Sequence, residues 1–420
     1  MRSIDKNDVR HAYNRIKQYI YKSPLDYSTK LSALSNCQLY LKKEHLSMTG
    51  SYKERGALNK LLLLTEDEKS RGVICASAGN HAQAISYHTT RMGIDGVICM
   101  PVNTPHVKVK STRDYGGRVV LYGNSFEEAF LYSIKLAREE GRTFVHAFND
   151  SDVVAGQGTL AIELLEQNPF LECIVVPIGG GGLIAGMSLF IKSINPNIKI
   201  YGVETSAMPG MLSSINAGHV VSVPKSATMG DGIAIETIGL VPFNIIKQHV
   251  DKIVTVDEDE LAAAVLSLME CEKTICEGSG AAAVAAIINN KLPELAGKQV
   301  AAICSGGNID MTLIGRIIDK GLFKSGRLAR IHVTCLDIPG QLSQVLDIVK
   351  QCRANVRDIA HERAFLLDSV GTTQPILILE TRDFDHIREV IDSLKQANFK
   401  NVYVDCPSNA PDYLPRTRDI

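Results

Sequence analysis

The sequence predicts an α/β protein with a parallel sheet covered on both faces, followed by a small ferredoxin-like βαββαβ module. Two observations carry this reading. From about residue 70 to about residue 320, short β-branched runs that are apolar throughout alternate with helical stretches; strands buried on both faces read this way, whereas half-exposed strands alternate. Composition then shifts across a short, basic, glycine-containing connector, Lys320 to Arg327, and the elements beyond it come in a new order.

Taken along the chain, Gly72–Ala76 reads as a buried strand, and a helix runs from about Asn80 to Met92. Gly96–Met100 repeats the pattern, followed by a helix around Val107 to Tyr115 and a strand at Arg118–Leu121. Cys173–Pro177, Lys199–Val203 and Gln299–Ile303 are further strands. Past the connector, Arg330–Leu336 is strand-like, and Asp337–Leu342 is a turn entering an amphipathic helix to about Cys352. Asn355–Glu362 and Pro375–Glu380 read as strands, about Asp383 to Ala397 as a helix, and Asn401–Asp405 as a closing strand. No 20–50 residue repeat and no low-complexity tract interrupts this order.

Length and charge narrow the function. At roughly 150 residues per domain, 420 residues allow two or three domains, each with its own core. Hydrophobic residues at 45% and charged residues at 22% are ordinary for a globular chain, which excludes wholesale disorder. Forty-five Lys plus Arg against 46 Asp plus Glu leave a net charge of −1, too little positive charge for a chain built to grip nucleic acid. Ten cysteines, none in a Cys-x-x-Cys pair, are scattered through apolar runs and read as the reduced thiols of a cytoplasmic protein. Cys271 and Cys276 lack the paired spacing of a zinc site. The polar segment Met1–Arg10 has no apolar region of a secretion signal, and no apolar run reaches membrane-spanning length.

Four segments carry chemistry. Gly179-Gly180-Gly181-Gly182-Leu183 directly follows the strand Cys173–Pro177. Its bare N–H groups at a helix start form a cradle for a dianion, and Gly180-x-Gly182-x-x-Ala185 also fits a dinucleotide fingerprint. Lys53 lies among small residues in Gly50–Ala57; a lysine at a helix start is ordinarily solvated surface. Ser77-Ala78-Gly79-Asn80-His81 leaves a strand and opens a helix, facing the strand ends where α/β sheets bind ligands. An N-cap and a packed histidine would explain Asn80 and His81 singly. Cys304-Ser305-Gly306-Gly307-Asn308 ends another strand and turns a hydroxyl toward the same edge.

Together these segments resemble the fold-type II pyridoxal-phosphate enzymes of the serine/threonine dehydratase group, over roughly residues 5–320. The resemblance implies a two-lobed open α/β body of the tryptophan synthase β kind, with a small lobe of about residues 46–145 inserted in the large one. It implies pyridoxal phosphate as cofactor, bound covalently by Lys53, the catalytic residue, with Asn80 on its 3′ oxygen, Gly179–Leu183 on its phosphate and Ser305 at its ring nitrogen. Ser77, Ala78, Gly79, Asn80 and His81 would hold the substrate carboxylate. Ala155–Thr159 and Gly230–Ala234 resemble further segments of the group, as does Glu277, for which the residues suggest no role.

The implied activity is elimination of water from L-threonine to give 2-oxobutanoate and ammonia, in isoleucine biosynthesis or threonine catabolism. Serine dehydration or racemisation is the alternative within the family. A nicotinamide-dependent dehydrogenase and a non-catalytic amino-acid sensor are readings of other classes. Serine racemases of the group carry a second acid/base serine where this chain has Ala78. They also bind a divalent ion through a glutamate and an aspartate six residues on; Glu204 matches the first, but position 210 is glycine, so no metal is expected. The C-terminal module, with Asp337-x-Pro-Gly340-x-Leu342, resembles an ACT domain. That implies an amino-acid effector near Asp337, Gly340 and Leu342, and a homodimer or homotetramer. The domain plan expected is residues 1–320 catalytic, 321–329 linker and 330–410 regulatory.

Overall fold

Apolar runs too short for helices become strands in three sheets. The computed structural model describes residues 3–363 and 370–416, and the chain divides into two units, Met1–Asp310 and Met311–Ile420. The first contains β1 (Leu25–Tyr27), β2 (Gln38–Lys43), β3 (Val73–Ala76), β4 (Gly96–Met100), β5 (Arg118–Leu121), β6 (Thr143–Phe144), β7 (Cys173–Pro177), β8 (Lys199–Thr205), β9 (Lys252–Val256) and β10 (Gln299–Cys304).

These strands form two lobes. The larger sheet runs β1-β2-β10-β7-β8-β9, parallel except where β1 lies antiparallel on β2. The smaller sheet, β5-β4-β3-β6, is parallel throughout. Every residue of β3, β4 and β7 is buried, as parallel strands covered by helices on both faces require. One core gathers Ile174, Val176, Ile184 and Phe243 in the large lobe; another gathers Val73, Ile85, Ile98 and Met100 in the small one. The helix Lys53–Leu62 joins them. Its Ala57 and Leu61 enter the small-lobe core, while Arg55 reaches the large lobe.

In the second unit, the helix Met311–Lys324 is followed by β11 (Leu328–Leu336), the helix Gln341–Gln351, β12 (Asn355–Glu362), β13 (Thr372–Glu380), the helix Phe384–Gln396 and β14 (Lys400–Asp405). The antiparallel order β12-β13-β11-β14 is the ferredoxin-like arrangement predicted from the element order. Buried and half-buried residues alternate along β13, and its inward Leu377 and Leu379 pack on Val345, Val349, Ile387 and Ile391 of the two helices. Residues 321–329, predicted as a connector, are instead the end of the first helix, a turn and the start of β11. Leu322 and Phe323 continue that helix's apolar spacing past the glycine, and a glycine within a helix is tolerated at modest cost. Residues 364–369 of the predicted module lie outside the described residues.

Candidate active site

Lys53 is the first residue of its helix. Its half-buried side chain donates a hydrogen bond of 3.0 Å to the carbonyl of Ala147, just beyond β6. Desolvation pushes its ammonium down to about 8, against an opposing pull from Glu277. The preceding turn is tied to the end of β10: the N–H of Tyr52 donates to Ser305 O at 3.1 Å, and Ser51 bridges Gly306. Ser305 is itself buried, and that one backbone hydrogen bond ties it to the residue preceding Lys53.

Asn80 opens the helix Asn80–Met92 from the small lobe. Its side-chain amide donates to Glu277 Oε1 at 2.6 Å and its carbonyl accepts from Asn308 Nδ2 at 2.7 Å. Glu277 is buried at the start of the helix Gly278–Ile288, where Ser279 Oγ also donates to it at 2.8 Å. Burial raises its pKa. His81 turns away from this group and places Nε2 3.1 Å from Val145 O. Burial, and then the charge of Lys53, lower His81 to about 3, so it is a neutral, packed histidine. Ser77 Oγ accepts from the N–H of Gly79 at 3.3 Å and shapes the loop between them.

The glycine segment leaves β7 and enters the helix Gly182–Ile194 at its N-terminus. Two of its glycines are physically required. Gly181 has φ +92°, a left-handed conformation, and a Cβ on Gly180 would come within 2.2 Å of the Phe148 ring. The segment is therefore a strand end, bare N–H groups and a helix N-terminus in succession, the arrangement that attracts phosphate.

Glu204, which the family comparison with racemases singles out, caps a helix. Its two oxygens accept from the N–H groups of Met211 and Leu212 at 2.7 and 2.8 Å. It is buried, with its pKa raised to about 7 by desolvation.

In the second unit, Asp337, Gly340 and Leu342 line a cavity of about 340 Å³ together with His361, Arg363 and Thr373. An ion pair of 2.9 Å joins Asp337 to Arg363, and the hydrogen bond holds the Asp337 carboxyl below its usual range.

Residues 16–306, which include every strand of the first unit, match the model of the pyridoxal-phosphate dependent enzymes. The chain belongs to that family. The L-threonine ammonia-lyase of Thermotoga maritima is 44% identical over 387 residues, 92% of this chain and 96% of that protein. Among solved structures, maize serine racemase superposes with a TM-score of 0.72 at 32% identity, covering 76% of this chain and 98% of its own. The processed form of threonine deaminase isoform 2 from Solanum lycopersicum gives 0.71 at 34% identity, over 76% of this chain and 89% of its own.

The residues fit the family's cofactor on their own chemistry. The cradle at Gly179–Gly182 leaves no room for side chains at Gly180 and Gly181, Lys53 carries a depressed amine, and Ser51 Oγ on the adjoining turn is buried without a hydrogen-bond partner among the described residues. Several residues of this neighbourhood escaped the sequence reading. Asn308 stood inside a quoted motif without a role, yet it binds Asn80 and donates to Thr49 O at 2.8 Å. Ala147 and Phe148 sit on an irregular loop, and no sequence signal marks them. Arg55 gave no signal either, two residues beyond Lys53. It lies fully inside the protein between Glu44 and Glu163, with four hydrogen bonds of 2.7–2.8 Å, and Lys42 joins Glu163 at 3.0 Å.

Proposed function

We propose that the protein is an L-threonine ammonia-lyase, releasing water and then ammonia from L-threonine to leave 2-oxobutanoate. The observation that carries this is the desolvated amine of Lys53, tied through Tyr52 to Ser305 and set beside a glycine cradle for phosphate. The 44% likeness to the Thermotoga ammonia-lyase supports the choice of substrate.

Pyridoxal phosphate, when bound, supplies an aldehyde for amines and a sink for the electron pair released at Cα. Lys53 would hold that aldehyde and, once the substrate amine has replaced it, take the Cα proton on its neutral Nζ. Amide groups of Gly179–Leu183 would hold the phosphate, and Asn80 the ring oxygen. Ser305 would offer the ring nitrogen a neutral hydroxyl, which leaves that nitrogen less protonated than a carboxylate would. Backbone donors of Ser77–His81 would hold the substrate carboxylate. Ala78 carries no hydroxyl, so this loop position offers no acid for returning a proton to the opposite face. That favours elimination over racemisation.

The test is ammonia release from L-threonine and L-serine, with D-serine measured in parallel. L-Threonine should be the faster substrate, Lys53→Ala should cut turnover by about 1,000-fold or more, and D-serine should stay at background. D-Serine produced faster than ammonia would replace this reading with racemisation.

The second unit supports regulation. An alignment of 387 residues is longer than the first unit, so the likeness to the Thermotoga enzyme extends into the second. Its ferredoxin-like sheet and the cavity at Asp337–Leu342 suit an ACT module that senses an amino acid, isoleucine, valine or serine. Residues 1–320 are then catalytic and 330–410 regulatory, in a cytoplasmic homodimer or homotetramer. Among the described residues, no helix is long and apolar enough to cross a membrane. Calorimetric titration of the whole chain with these amino acids, and light scattering for its mass, test this part.

A further inference from the structure

A ring nitrogen of His45 and the sulfurs of Cys276 and Cys304 lie within 4.8 Å of one another, and all three residues are buried. The topology explains why they meet. β2 and β10 pair in parallel with Lys43 opposite Cys304, and His45 follows two residues beyond that register in the short 3-10 turn Glu44–Leu46. Cys276 arrives from the loop before the helix Gly278–Ile288, whose cap Glu277 binds the turn after β10 by donating its N–H to Gly306 O at 3.1 Å. His45 is only 7% exposed. Its Nε2 is 2.6 Å from Thr274 Oγ1, while its Nδ1 is buried with no hydrogen-bond partner among the described residues. None of the three residues is needed by the chemistry proposed above.

We propose that His45, Cys276 and Cys304 form a binding site for a thiophilic divalent cation, zinc by preference. Two sulfurs and an imidazole are the soft and borderline donors that select zinc over magnesium or calcium. Binding sends two thiol protons to solvent, and the bonds formed are two metal–sulfur bonds and one metal–nitrogen bond. The product, a dication with two thiolates and a neutral imidazole, carries no net charge, which is the form a buried site accepts. Zinc–sulfur bonds of about 2.3 Å and zinc–nitrogen bonds of about 2.0–2.1 Å require the ligand atoms to draw in by about 1 Å at most. A water molecule retained from the ion's hydration shell would fill the fourth position of the tetrahedron. The ion would staple together three segments of chain distant in sequence, at positions adjoining Glu277 and Ser305.

The test uses the full-length, cofactor-loaded protein, reduced, dialysed against a chelator and then supplied with zinc. After desalting, metal analysis should find one equivalent of zinc per chain. Cobalt in its place should give the visible bands of a tetrahedral, thiolate-bound ion, to the red of the cofactor's absorption. Cys304→Ala and His45→Gln should each bind zinc at least about 10-fold more weakly, while Cys271→Ala, whose thiol is outside the cluster, should bind as the unaltered protein does. Well under one equivalent of zinc in the unaltered protein, a cobalt spectrum of purely oxygen ligation, or equal retention by all the variants would overturn the proposal. Should the variants fail to fold, the cobalt spectrum of the unaltered protein decides alone.

Discussion

Burial sets the pH at which Lys53 becomes a nucleophile, and this gives a quantitative prediction. Desolvation lowers the amine and Glu277 partly restores it, with a balance of about 8 against the usual 10.5. A lysine reacts only when neutral, so its reactive fraction rises with pH up to the pKa and is level above it. At pH 7 an amine of pKa 8 is about 9% neutral, against about 0.03% for one of pKa 10.5, a gain of about 300-fold. The assay mixes cofactor-free protein with pyridoxal phosphate across a series of pH values, traps the product with borohydride and maps the labelled peptide. Labelling should fall on Lys53, climb about tenfold per unit below neutrality and reach half its maximum near pH 8. A rate still climbing steeply beyond about pH 9.5 would show a solvated, ordinary lysine, and the reasoning from burial would fail.

Three further outcomes are expected. Arg55→Met strips the guanidinium from buried Glu44, which keeps a hydrogen bond from Ser23, and from Glu163, which keeps Lys42, and should lower stability by about 3–5 kcal/mol in denaturant titration; a loss under about 1 kcal/mol would mean the cluster is hydrated. Gly180→Ala drives a methyl group toward the Phe148 ring, and about 1–3 kcal/mol of overpacking should weaken cofactor retention by about 5- to 150-fold in a spectroscopic titration. Glu204 has its folded pKa raised to about 7 from 4.5, so the folded protein holds the extra proton between those values and its stability falls as pH rises through them. Glu204→Gln should remove up to about 3 kcal/mol of that slope, and equal slopes in the two proteins would show that the carboxyl titrates normally.

How much was legible depended on whether the signal was local. β3, β4 and β7 are continuous apolar runs and were placed to within a residue. The glycine cradle stands out because four glycines follow a strand directly, whereas Lys53 reads as surface in isolation and takes its role from the family resemblance. By contrast β2 is a strand with two lysines at its end, one of them fully buried, and reads as surface until Glu163 is known to lie opposite. β6, two residues long, has no pattern to show. Glu204 illustrates the limit of motif reading. The resemblance to racemases leaves a ligand role and a helix-capping role open for it, and the cap is the role found, on a helix start that carries no capping side chain of its own. The His45, Cys276 and Cys304 cluster was invisible for the same reason, because spacing rules detect metal sites whose ligands are close in sequence.

The strand order has a consequence for biosynthesis. β2 gains its inner neighbour only when β10 exists, and Tyr52 finds its partner only when Ser305 has been made. At about 5–20 residues per second, a ribosome needs roughly 13–50 s to travel between those two positions. During that interval the large sheet has an open edge at β2 and Arg55 waits for Glu163. The small lobe, with β3 to β6 close together in sequence, can fold in the meantime, whereas the ferredoxin-like unit, whose β11 pairs with β13 and β14, completes its sheet only when β14 has been made. The N-terminal part of the active site is thus the first to be translated and among the last to be completed, and a chaperone acting on this protein would have most to shield while β10 is still missing.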